Sequence, residues 1–340
     1  MRELVRRATE RIADLIESLP EQPASSVEGA NEVIEKIDEP LPEESTPYDE
    51  LESLLFDEAI PRSVHTGHPG FMAYIPGGGL LHAAIADLIA DSTNRFVASW
   101  KTAPALAALE AKVIDWFCEI VGYPDASFGL LTSGGTMANL VALDVARSER
   151  MPDEFRDAVI YASDQTHHCI RKVARVTGFR PQNVEVISTD DSFRIRSDEL
   201  RKQIERDRTT SGRQPFLVVA NAGTTNSGAV DDIVALADLC EEHDLWLHGD
   251  GAYGGFFALT GRGRQRLRGL DRCDSIALDP HKGLFLPYGT GAVLLRDGAS
   301  LRRTYADKAE YIPDVTDREA IHFAELGPEL SRDFRGLRVW

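Results

Sequence analysis

The stretch Gly129-Leu130-Leu131-Thr132-Ser133-Gly134-Gly135-Thr136-Met137-Ala138-Asn139-Leu140-Val141-Ala142-Leu143-Asp144-Val145-Ala146-Arg147 decides the class of fold. Residues 129–132 are a short apolar run that reads as a strand. Residues 136–147 place their apolar side chains at helical spacing. Between them stand Ser133, Gly134 and Gly135, which are too small to keep a ligand away from the backbone. A strand that feeds a helix through such a turn exposes the helix's first N–H groups and the positive end of its dipole. That arrangement suits an anion such as a phosphate, with hydroxyls from Ser133, Thr136 or Thr132 as further donors. The turn is neither a Walker A nor a G-x-G-x-x-G sequence, so it does not indicate a nucleotide. The plain alternative is a strand-to-helix turn capped by Ser or Thr.

The same alternation continues outward. Strands are expected at 158–162, 184–187, 215–221, 245–249, 275–279 and 289–295, and helices at about 80–89, 104–121, 166–177, 197–206 and 233–243. This order predicts an α/β protein with a mostly parallel central sheet and helices on both faces. In such sheets, ligands sit beyond the carboxyl ends of the strands. Upstream, Leu4, Val5, Ala8, Ile12, Leu15 and Ile16 mark residues 1–20 as an amphipathic helix, stopped by Pro20 and Pro23. Residues 21–50 are rich in Pro, Glu and Ser and read as an extended arm.

With 340 residues and 43% hydrophobic content, the chain can bury a large core. No apolar run is long enough to span a bilayer. The charged N-terminus lacks a signal-peptide core, which points to a cytoplasmic protein. Cys118, Cys169, Cys240 and Cys273 are scattered, so neither a disulfide framework nor a metal site is expected. A formal charge of −18 repels nucleic acid and anionic membrane. That surface carries only seven lysines, which also suits a halophilic source; an ordinary acidic cytosolic protein is the equal alternative.

Three further segments follow strands and carry chemistry. In Leu247-His248-Gly249-Asp250-Gly251-Ala252-Tyr253-Gly254-Gly255, a carboxylate with small neighbours can hold a heteroaromatic nitrogen protonated and leave room for a flat ring; a solvated turn cap is the alternative. In Asp279-Pro280-His281-Lys282-Gly283, the lysine sits in the most apolar part of the chain, where an amine can serve as a nucleophile toward an aldehyde. In Asp164-Gln165-Thr166-His167-His168, an imidazole can stack on a ring or exchange protons. Consecutive His167, His168 and Cys169 rarely converge on one ion. Together these segments describe one site made of an anion cradle, an acid for a ring nitrogen, a stacking imidazole and an amine.

The order of these motifs resembles the pyridoxal 5'-phosphate (PLP) dependent group II amino-acid decarboxylases, from about His65 to Trp340. His68-Pro69-Gly70-Phe71-Met72-Ala73-Tyr74 is similar to the family's substrate-side segment, and 104–116 to the following helix, with Glu110 and Trp116 in step. Asp164-Gln165-x-His167 matches D-Q-x-H, which selects His167 over His168. Asn221-Ala222-Gly223-Thr224-Thr225 matches the segment whose second threonine, Thr225, lies near the cofactor. Asp250 and Ala252 match H-x-D-A-A, and Lys282 matches the Schiff-base lysine.

The resemblance implies a PLP-dependent transferase type I (aspartate-aminotransferase-like) fold and a homodimer that takes a small-molecule amino-acid substrate. It assigns Lys282, His167 and Asp250 to catalysis. Ser133, Gly134, Gly135, Thr225, Ala252, Asp279 and His281 join them around the cofactor, with Phe71, Tyr74 and Pro76 on the substrate side. The implied organisation is a dimer-wrapping helix and arm over 1–77, a large PLP-binding domain over 78–310, and a mobile catalytic loop over 311–340 that starts a truncated C-terminal small domain. The implied reaction is decarboxylation of an L-amino acid, aromatic in preference. Aldehyde synthesis, transamination, another carbon–carbon cleavage and a non-catalytic scaffold are the alternatives. Many relatives protonate the product from a loop tyrosine, a position that falls here near Phe323, beside His322, or at Tyr311. Gly249, Gly251 and Gly283 stand where the family often has larger residues, which predicts a roomier active-site face.

Overall fold

The computed structural model describes residues 1–75, 77–151, 154–307 and 321–340. The chain divides into two units, Met1–Gly78 and Gly79–Trp340.

In the first unit, α1 (Arg2–Ser18) is followed by α2 (Ala30–Ile37) and α3 (Tyr48–Ser53). The region expected to be an extended arm therefore contains helices. Composition is overridden locally because Val33, Ile34 and Ile37 form a one-sided apolar stripe, of which Val33 is buried. Gly29, at φ 76°, supplies the left-handed entry to α2.

The second unit opens with α4 (Leu81–Thr93) and α5 (Pro104–Val121). In α5, Pro104 starts the helix, Gly122 ends it at φ 80°, and Ala107, Glu110, Ala111, Ile114, Phe117, Cys118 and Val121 form the buried stripe. Strands and helices then alternate: β1 (Phe128–Thr132), α6 (Gly135–Arg150), β2 (Ala158–Ser163), α7 (Cys169–Val176), β3 (Val184–Ile187), α8 (Ser197–Arg206), β4 (Gln214–Asn221), α9 (Ile233–His243), β5 (Trp246–Gly251), α10 (Gly261–Arg266), β6 (Ser275–Leu278), α11 (Pro280–Gly283), β7 (Gly291–Leu295), α12 (Ala299–Tyr305) and α13 (Arg335–Val339). The seven strands form one sheet in the order β1-β7-β6-β5-β4-β2-β3. Only β7 runs against its neighbours; the pairs β2–β3, β2–β4, β4–β5 and β5–β6 are parallel. The central strands β4 and β5 are almost wholly buried, as a helix-covered parallel sheet requires; β4 is largely apolar, and β5 places His248 and Asp250 on one face.

Helix α7 starts at Cys169, three residues later than its periodicity predicts. The Thr166 hydroxyl accepts the Ser163 N–H at 2.9 Å, and this local turn competes with helix formation. At the C-terminus, the Arg332 guanidinium, wholly buried, ion-pairs with the buried Glu110 carboxylate and donates to the Leu131 carbonyl at 2.9 Å. This pins residues 332–336 to α5 and β1.

Two expectations change. Phe323 is fully buried, stacked 6.5 Å from Phe128 with the Arg332 guanidinium over its face. It is a core side chain, packed away from any substrate, and its phenyl ring carries no transferable proton; Tyr311 lies outside the described residues. The active-site face is also no roomier for its glycines. Side chains alternate along β5, so Gly249 and Gly251 face away from the side that Asp250 presents. A Cβ at Gly249 would meet Cys273 Sγ and Leu270 Cδ1 at 3.2 Å, and one at Gly251 would meet the Ala277 carbonyl at 3.1 Å. A Cβ at Gly283 would stand 2.8 Å from Phe256 Cβ, so that space is filled by the phenyl ring.

Candidate active site

The carboxyl ends of β4 and β5, the turn after β1 and the start of α11 enclose a cavity of about 270 Å³. Every lining residue belongs to the second unit. Among them are Ser133, Gly134, Gly135, His167, Thr225, Asp250, Ala252, Asp279, His281 and Lys282. Phe71 and Tyr74 lie in the first unit, where Tyr74 is exposed at φ 58°. Pro76 lies outside the described residues.

Helix α6 begins at Gly135 without any side-chain cap, so the N–H groups of its first turn remain available to a ligand. The turn is built by omission of side chains. Gly134 has φ 153° and ψ 175°, and a Cβ on Gly135 would stand 2.7 Å from Asp279 Oδ2 and 3.1 Å from Ala252 Cβ. Thr136, on the same turn, also lines the cavity.

Asp250 is buried, and its Oδ1 accepts the Ala252 N–H at 3.2 Å. Lys282 Nζ lies 2.8 Å from Oδ2 of the buried Asp279, while Asp279 Oδ1 has no hydrogen-bond partner. His281 donates Nδ1–H to the Thr290 carbonyl at 2.7 Å. Burial, then the neighbouring His168, lower the pKa of His167 and so favour its neutral form. Its Nδ1 accepts the Cys169 N–H at 3.3 Å, which leaves the proton on Nε2. His168 does not line this cavity.

Asn139, Cys169, Asn221 and Tyr253 also line the cavity and were not singled out by sequence reasoning. Asn221 is a hub. Its backbone N–H and carboxamide donate to Asp231 Oδ2 at 2.7 and 2.9 Å, and the carboxamide also reaches Ser163 Oγ at 3.1 Å and Thr166 Oγ1 at 3.2 Å. These bonds fix the turn that presents His167. An amide on a central strand, followed ten residues later by an acid, was the available sequence signal. Cys169 is a protonated thiol, its pKa pushed up to about 12 by burial.

The cavity fits pyridoxal phosphate. It joins an anion cradle where a Cβ on Gly135 would clash with Asp279 and Ala252, a buried acid, an unbranched amine and an imidazole, and its volume is on the scale of a small cofactor. Sheet, helices and cavity together are those of type I pyridoxal-phosphate enzymes.

Comparison with known proteins narrows this class. The profile of the pyridoxal-dependent decarboxylase conserved domain matches residues 31–340. The chain is 41% identical to the aromatic-L-amino-acid decarboxylase of Bacillus atrophaeus, over 100% of this chain and 71% of that protein. It is 34% identical to the L-2,4-diaminobutyrate decarboxylase of Rhizobium meliloti (strain 1021), over 93% of this chain and 63% of that protein, so it spans less than two thirds of this second relative. It superimposes on the crystal structure of Oryza sativa TDC with PLP and tryptamine with a TM-score of 0.94 at 27% identity, covering 100% of this chain and 73% of that one. The chain belongs to the pyridoxal-dependent decarboxylase family. Among the described residues, no helix is long and apolar enough to cross a membrane.

Proposed function

We propose that this chain is a PLP-dependent carboxy-lyase that converts an L-amino acid, aromatic in preference, to its amine and CO2. One observation carries the reading: Lys282, Asp250 and His167 line the same cavity as an uncapped helix N-terminus. When bound, pyridoxal phosphate supplies an electron sink conjugated to the substrate's Cα.

The chain's own residues do the rest. The N–H groups of the first turn of α6, with Ser133 and Thr136, hold the phosphate. Lys282 would supply the amine that holds the cofactor, and Asp279, 2.8 Å away, positions that amine through their ion pair. Asp250, buried in the cavity wall, would keep the ring nitrogen protonated. His167, held by the Asn221 hub, and Ala252 line the same cavity and would pack against the ring. Thr225 lies beside them. Phe71, Tyr74 and Pro76 belong to this reading on the substrate side, by resemblance.

The aromatic preference is supported by the identity to the Bacillus decarboxylase. A homodimer in the cytoplasm completes the proposal; four buried free cysteines suit a reducing compartment. The test is a panel of tryptophan, tyrosine, DOPA and glutamate, with CO2 and organic products both measured. The amine with stoichiometric CO2 is expected from an aromatic substrate. Aldehyde with ammonia and peroxide would assign aldehyde synthesis instead, and the absence of both products would reject the enzyme.

A further inference from the structure

A continuous chain of buried polar side chains runs from the sheet interior to the cavity wall. Trp246 Nε1–H donates to Ser275 Oγ at 2.8 Å, and Ser275 Oγ lies 2.8 Å from His248 Nδ1. His248 Nε2 lies 2.6 Å from Asn139 Oδ1. Asn139 Nδ2 donates to the Gly135 carbonyl at 2.7 Å and to Cys169 Sγ at 3.7 Å. His248, Ser275 and Asn139 are all buried.

The direction of every link follows from its ends. A carbonyl only accepts, so the Asn139 amide nitrogen faces Gly135 and its oxygen faces His248. His248 must then donate from Nε2. Its Nδ1 accepts the Ser275 hydroxyl, whose oxygen receives the Trp246 N–H. Burial lowers the pKa of this histidine to about 4, and with the ring neutral these bonds fix a single tautomer. Asparagine is a poor residue for a helix interior, and a side chain bonded to the carbonyl four residues back disfavours a regular helix. At Asn139 that bond grips the first residue of α6, where the free N–H groups begin.

We propose that Asn139 and His248 are positioning residues for the anion-binding turn. They hold the first turn of α6 so that its N–H groups converge on the phosphate, and they do not act on the cofactor's ring. This rests on the reading above for the identity of the ligand, not for the reaction.

The test compares the binding of pyridoxal phosphate with that of pyridoxal, which lacks the phosphate, to the full chain. For Asn139→Asp and His248→Leu, Kd for pyridoxal phosphate is expected to rise by about tenfold or more, while Kd for pyridoxal stays within about threefold. His248→Gln, whose carboxamide can still donate to Asn139, should keep the wild-type ratio. Equal weakening of both ligands, or no change in either, overturns the inference. If His248→Leu is unfolded by circular dichroism, the near-isosteric Asn139→Asp decides by the same ratio. If neither variant folds, these residues serve the fold and not the phosphate, and the inference falls. A wild-type chain that prefers pyridoxal phosphate to pyridoxal yet releases no CO2 would reject the decarboxylase reading and leave this one standing.

Discussion

Asn221 and Asp250 are register partners at the carboxyl ends of the parallel strands β4 and β5. The Asn221 carboxamide is tied across to Ser163 and Thr166, so the ends of β2, β4 and β5 are cross-linked where His167 and Asp250 enter the cavity. The buried Asp231 holds this junction. Burial raises its pKa even though it accepts from Ile195 and Asn221. Side chains carried on these strand ends inherit that rigidity, which favours preorganised electrostatics.

The proposed cofactor role of Lys282 is separable from its ion pair with Asp279. Lys282→Ala removes the amine and leaves the buried Asp279 without its cation. The visible absorbance of bound cofactor that borohydride can trap should vanish. Stability should fall by about 1–2 kcal/mol, below the range for a fully buried pair because the lysine is a quarter exposed. Lys282→Arg should restore the thermal midpoint without restoring the absorbance.

Asp250→Asn keeps the shape and loses the charge. The variant should still bind cofactor, while CO2 release falls roughly 10²–10³-fold, the scale for losing one preorganised electrostatic contact. Single-turnover kinetics with the best amino acid of the panel checks this, and a fall under about tenfold would remove Asp250 from the ring-nitrogen role.

Gly135→Ala places a methyl group 2.7 Å from Asp279 Oδ2 and 3.1 Å from Ala252 Cβ. The expected cost is about 1–3 kcal/mol of stability, typical of overpacking. Titration should also show a loss of cofactor affinity of about tenfold or more, because the added methyl intrudes on the wall that Asp279 and Ala252 share.

His248 makes stability depend on acidity. Burial lowers its pKa from 6.5 to about 4. The unfolded chain takes up a proton that the native state refuses, so this contribution is intact above pH 6.5 and is lost progressively as the pH falls toward 4. The whole shift corresponds to about 3 kcal/mol. Denaturation midpoints followed over that window should decline more steeply for the wild type than for His248→Gln.

Phe323→Tyr tests the corrected loop assignment. A hydroxyl introduced at a fully buried site without a partner should lower stability by about 1–3 kcal/mol. The ratio of amine to aldehyde should not move. A change in that ratio would return position 323 to the chemistry.

Much of the frame was legible because local rules and global fold agree. The expected strands at 215–221 and 245–249 are β4 and β5, and helix α9, predicted at 233–243, has those limits: the Asp232 side chain caps its start and Asp244, at φ 52°, ends it. The arm misled because a Pro- and Glu-rich composition masked the apolar stripe of α2. The supposedly roomy glycines misled because a motif gives residue types without the face each one occupies. The late start of α7 came from one hydroxyl, Thr166, whose partners include Asn221, 55 positions away.

From residue order alone came the alternation that makes the sheet, the small turn before α6, and the four segments that bear Ser133, His167, Asp250 and Lys282. Their chemistry depends on side-chain type and strand-end position, both of which are local. Tertiary structure alone decided that Asp279 would pair with Lys282, that Asn221 would brace His167, and that Asn139 would meet His248 across 109 positions. Those partners are chosen by burial, where an unpaired polar group is costly, and sequence spacing holds no record of which strand ends will meet.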